Sequence, residues 1–160
     1  MEDGDKFRID NVNKIKQYFE TEIQIRRKIY LKYKKINNIC DIMYKVSAGI
    51  TLFTGVGGIA VSSTIIMWPL TILLESITIM SGLTSIITTI LYKYSHKKVK
   101  KHEEIKGLAI NKLIIINKII SDAVNDDIID NNEFDLIQKH YEVYFKIRRE
   151  SQIRFGSVSE

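Results

Sequence analysis

Between Val46 and Tyr92 the chain carries no Lys, Arg or His and a single acid, Glu75. No other feature limits the fold as much, because an uncharged run of this length has to be covered by other protein or by lipid. All 24 Lys and Arg residues of the 160-residue chain lie in its flanks. Trp68-Pro69 divides the run, since proline lacks the amide hydrogen and its ring collides with the preceding helical turn. At about 1.5 Å per residue, Val46–Met67 and Leu70–Tyr92 each reach roughly 33 Å, against a hydrocarbon core of about 30 Å. The spacing therefore predicts a helical hairpin of two membrane-length rods over residues 46–92, with Trp68 and Pro69 at its turn.

The halves are rich in Ser, Thr and Gly, which makes them only moderately hydrophobic. The small residues recur at four-residue spacing: Ser47, Thr51 and Gly55; Thr54, Gly58 and Ser62; Thr78 and Gly82; Ser81, Ser85 and Thr89. Small residues on one face let two helix backbones approach closely where lipid removes the hydrophobic drive. Thr51, Gly55, Gly58, Ser62, Thr78, Gly82 and Ser85 are accordingly the expected packing positions.

Basic clusters abut the run on both sides, and lysines accumulate on the cytosolic face of membranes. A membrane location with both termini cytosolic follows. Lys34, Lys35, Lys45, Lys93, Lys97, Lys98, Lys100 and Lys101 are the candidate contacts to anionic lipid headgroups, and Tyr44, Tyr92, Tyr94 and Trp68 the interfacial anchors. Lysines that flank an apolar block need no nucleic-acid partner, and none is expected. Glu75, about 8 Å from the turn, is either a carboxylate facing a pore or partner in an oligomer or one that reaches nearby headgroups.

Outside the run the pattern is helical. Residues 1–12 read as a disordered start, and 13–45 as an amphipathic helix with a heptad-like seam of Ile15, Tyr18, Glu22, Ile25, Ile29, Lys32, Ile36, Ile39 and Met43. Residues 93–160 form a basic tail of two helices with a polar break at 125–132, where Asp130 and Glu133 carry a capping-box signature. The expected fold is all-α: a transmembrane-type hairpin flanked by long amphipathic, coiled-coil-like helices.

Catalytic and cofactor motifs fit poorly. Gly55-Val56-Gly57-Gly58-Ile59-Ala60 matches a dinucleotide fingerprint, with Glu75 as the ribose acid, but the chain lacks the alternating strands such a site needs. Asp122 to Glu133 can be laid on a calcium loop, yet Val124 and Asp127 stand where a ligand and a glycine belong. His96, His102 and His140 share no ligand spacing and read as solvated or juxtamembrane. Cys40 reads as a small buried seam residue rather than an acylation site. No cofactor, metal or enzymatic activity is expected.

In the tail, Lys101-His102, Ile105, Leu108-Ala109, Lys112-Leu113, Ile116, Ile120, Ala123, Asp126, Ile129, Glu133-Phe134, Ile137, Tyr144, Lys146 and Ile147-Arg148 form a pattern of spacings. It resembles a family of uncharacterised invertebrate and virus-like mobile-element proteins, whose members place a Gly, Ser and Thr-rich hairpin between a Lys and Tyr-rich helix and such a tail. The family commonly reads Asn-Asp-Gly where this chain has Asn125-Asp126-Asp127, and the resemblance implies no activity. In topology the hairpin also looks like the membrane-inserting region of apolipoprotein L proteins and like two-span effector domains of bacterial defence systems. Three functions are compatible with this reading: a two-span protein whose cytosolic helices drive homo-oligomerisation or assembly, a pore-forming protein, and a soluble bundle that hides its hairpin until triggered.

Overall fold

The computed structural model describes residues 3–62, 68–123 and 129–155, which form three α-helices: α1 (Asp3–Ser62), α2 (Trp68–Ala123) and α3 (Asn131–Arg154). The fold is all-α. The chain divides into two units, one of Met1–Leu31 with Lys98–Glu160 and one of Lys32–Lys97.

In the first unit, α1 and α3 run parallel and α2 antiparallel to both. Val12, Ile15, Phe19, Ile105, Ala109, Ile116, Ile137 and Tyr144 make its core. Val12, Ile15 and Phe19 step by three and four along α1, and Ile105, Ala109, Ile116 and Ala123 by four and then twice by seven along α2, the heptad spacing of knobs packed into holes. Tyr18 and Phe19 meet Tyr141 and Tyr144 edge-on, with centroids 5.0 Å apart for Phe19 and Tyr144, a geometry that ring quadrupoles favour. The start of α3 is fixed by Asp130: its carboxylate accepts from the Glu133 amide at 2.7 Å, while Glu133 Oε2 accepts from the Asp130 amide at 3.0 Å. The expected capping box is therefore present.

Several boundaries differ from expectation. The chain is helical from Asp3, where a disordered start was expected, because Val12 is buried and Arg8 bonds Asn131 at the head of α3. The basic stretch after residue 92 was expected to continue as helix, and α2 runs unbroken through it. The polar break is shorter than 125–132, because Asn131 already belongs to α3; residues 124–128, the middle of the calcium-loop alignment, lie outside the described residues.

Pro69 is the second residue of α2, so it begins a helix where it was expected to end one. Its missing amide hydrogen costs nothing in the first turn, where those hydrogens have no partner within the helix. The side chain of Trp68 and all of 63–67 lie outside the described residues.

Candidate functional site

In the unit Lys32–Lys97 the two helix segments run antiparallel, and polar groups lie between them. Thr78 donates to Thr54 Oγ1 at 2.7 Å, Thr51 and Ser81 share a hydrogen bond, Ser81 donates to the Ser47 carbonyl at 3.3 Å, and Ser95 donates to Asn37 Oδ1 at 3.1 Å. Tyr33 and Tyr94 meet edge-on. Ser47, Thr54, Thr71, Ser81, Thr88 and Ser95 are buried, joined by Cys40. Ile42, Leu52, Phe53, Ile79, Met80, Ile86 and Ile90 are exposed, Phe53 by 81 % and Leu52 by 72 %. The usual arrangement of a water-soluble helix pair is thus inverted, with hydroxyls inside and aliphatic and aromatic side chains outside.

The hydroxyls are also satisfied locally. Thr51, Thr54 and Thr88 each donate to the carbonyl four residues back at 2.8–2.9 Å, and the Leu74 carbonyl, 2.8 Å from Thr78 Oγ1, is an alternative acceptor for the one hydrogen Thr78 gives to Thr54. Outward-facing Ser76 and Thr84 do the same at 2.8 and 2.9 Å, to Ile72 and Met80. A side chain bonded in this way carries its polar hydrogen into an apolar medium at little cost. Among the described residues one helix is long and apolar enough to cross a membrane, α2 over Pro69–Ala123, and 6 % of its most apolar stretch is buried. In α1 the uncharged run starts at Val46 and the described helix ends at Ser62, short of the roughly 20 residues a span needs.

Of the expected packing positions, Thr51 and Thr78 lie in the seam and Ser85 is half-buried beside it. Gly55 and Gly82 do not serve close approach: a Cβ on either would meet no atom within 4 Å. The seam runs through hydroxyls one position before these glycines, Thr54 and Ser81, where a polar hydrogen can be shared across it. Gly58 and Ser62 fall in the last turns of α1, and their surroundings lie outside the described residues.

Glu75 is exposed and stands one residue past the seam position Leu74, so it is not brought against α1. Lys34, Lys35, Lys45, Lys93, Lys97 and Lys100 are exposed and Lys98 half-buried, whereas Lys101 is 4 % exposed and thus withdrawn from any headgroup. Its place one turn before buried Ile105 carries it into the first unit.

The seam of α1 also departs from expectation. Ile15, Glu22 and Cys40 are buried as expected, but Ile25, Ile39 and Met43 are exposed, whereas Phe19 and Arg26 are buried. Around Arg26 the cause is an ionic cluster inside the first unit. Glu22 Oε1 accepts from Arg26 Nε at 2.9 Å and from the Tyr144 hydroxyl at 3.0 Å, and Arg148 Nε lies 3.4 Å away. Arg148 Nη1 donates to the Tyr18 hydroxyl at 2.7 Å. Arg26 Nη1 is 3.3 Å from His102 Nδ1. A guanidinium only donates, so the ring nitrogen is the acceptor in this contact. His102, expected in solvent, is buried.

Burial, and then the Glu22 charge, raise the Tyr144 phenol well above its usual range. Burial likewise raises Tyr18, opposed by Arg148. His140, whose Nδ1 lies 3.2 Å from Lys112 Nζ, is held below its usual value by burial first and by Lys112 and Lys139 next. His96 stacks on Tyr92. Among the described residues no three His, Cys, Asp or Glu side chains gather where a metal ion could be held. No protein-family model, curated protein or solved structure matches the chain.

Proposed function

We propose that the chain is a non-enzymatic integral membrane protein in which the antiparallel pair of Lys32–Lys97 forms a two-span hairpin, with both termini in the cytosol. The observation that carries this reading is the inverted polarity of the pair: hydroxyls bonded inside, and Leu52, Phe53, Ile79 and Met80 presented outside. In water such an exterior is an aggregation liability, whereas in hydrocarbon it is solvated. The first unit, with its own core and ionic cluster, is the cytosolic part and supports homo-oligomerisation or assembly.

The pore-forming alternative draws less support, because Thr51, Thr54, Thr78 and Ser81, which would line a channel, are engaged within the pair. Alkaline carbonate extraction of the expressed chain tests the main reading, which requires retention in the membrane pellet. Labelling of single cysteines placed at residues 65 and 100, in a Cys40→Ser background, then assigns sides. Release into the carbonate supernatant would refute the reading.

A further inference from the structure

The buried ionic cluster of the first unit includes a group whose charge can change between pH 5 and 8. His102 is 4 % exposed, and its Nδ1 lies 3.3 Å from Nη1 of Arg26, which is itself 2 % exposed. A free imidazole takes up a proton near about pH 6.5, whereas a guanidinium never gives up its own. The contact therefore lasts only while Nδ1 keeps its lone pair. A proton arriving there would set N–H against N–H and place two cations side by side with little water to screen them.

Little in the surroundings offsets that second charge. From α1, Arg26 meets the ring with Glu22 one turn before it, and the Glu22 carboxylate is already shared by Arg26, the Tyr144 hydroxyl and Arg148 of α3. On α2 itself, half-buried Lys98 lies one turn before the ring, half-buried Lys106 one turn after it and buried Lys101 next to it, while Glu103 and Glu104 are exposed. Arg26 and Tyr144 meet on Glu22 Oε1, so a disturbance of Arg26 passes to the contact between α1 and α3. We propose that His102 is an acid-operated latch: with Nδ1 unprotonated it ties α2 to the Glu22–Arg26 pair of α1, and protonation breaks the tie and loosens the first unit. The latch works whether or not the unit Lys32–Lys97 spans a membrane.

The test is urea unfolding of the full chain in maltoside detergent at about pH 7.5 and about pH 5, in a His140→Gln background that removes the other histidine of this unit. The unfolded chain takes up the proton near about pH 6.5 and the folded chain does not, so this group alone should raise the unfolding constant about thirtyfold between the two conditions. His102→Gln keeps an amide oxygen to accept from Arg26 and cannot be protonated, so its rise on acidification should be smaller by about that factor. Equal rises in the two chains overturn the latch. The ring gives a second readout that needs no change at His102: its Cε1 proton resonance, identified by elimination against His96→Gln and His140→Gln, should hold its position on acidification until the chain unfolds. A shift of that resonance near about pH 6.5 in the folded chain overturns the proposal even where His102→Gln fails to fold.

Discussion

Replacement of Glu22 by alanine is the sharpest test of the buried ionic cluster. Arg26 and Glu22 side chains are 2 % and 7 % exposed, so the small contributions typical of surface ion pairs do not apply. Glu22 Oε1 receives Arg26 and Tyr144 and has Arg148 at 3.4 Å, and removing it leaves a buried guanidinium and a buried phenol without their acceptor. Breaking a buried pair from one side costs about 3–5 kcal/mol, because the remaining charge stays desolvated. Two lost hydrogen bonds to a charged group, at roughly 1.5–3 kcal/mol each, give the same range. The double replacement Glu22→Leu with Arg26→Met removes both charges and keeps volume but leaves the Tyr144 phenol without its acceptor, so it should cost about 1–3 kcal/mol, less than the single replacement. Urea unfolding of the full chain in detergent, followed by ellipticity at 222 nm, measures both. If Glu22→Ala costs less than about 1 kcal/mol, or the double replacement costs as much as the single, the cluster does not hold the unit as described.

Gly82→Ala should raise stability by up to about 1 kcal/mol, because the added methyl meets open space and alanine is the better helix former, whereas Ser81→Ile should break the hydroxyl seam and lower it; detergent melts of the two variants should move in opposite directions. Asp130→Ala removes the cap of α3 and should cost about 1 kcal/mol, read as a shift in the urea midpoint. The depressed His140 makes stability depend on pH: the unfolded chain binds more protons, so its contribution is complete above about pH 6.5 and is lost as pH falls through the lower folded value. His140→Gln should flatten that part of the profile, and superimposable profiles for the two proteins would contradict the assignment.

The helical class, the capping box of Asp130 and Glu133, and buried Cys40 could all be read from residue type and spacing alone. The seam of α1 could not. A template that counts apolar residues passes over Arg26 and selects Ile25, and only Glu22, held in turn by Tyr144 of α3, together with His102 of α2 makes Arg26 the better buried residue. Gly55 and Gly82 misled in a related way, because spacing marks a face as small without saying which of its residues touches the neighbour. Pro69 was ambiguous for a local reason: a proline excludes the helix interior but not the first turn, and the two outcomes place the boundary on opposite sides of the ring. The tie of His102 to Arg26 carried no linear signal, since it forms only when two antiparallel segments align.

Thr51, Thr54 and Thr88 return their hydrogens to their own backbone, and Thr78 has the Leu74 carbonyl as the same option. If the pair spans a membrane as proposed, each rod satisfies these donors without the other, and pairing in lipid becomes a separate step.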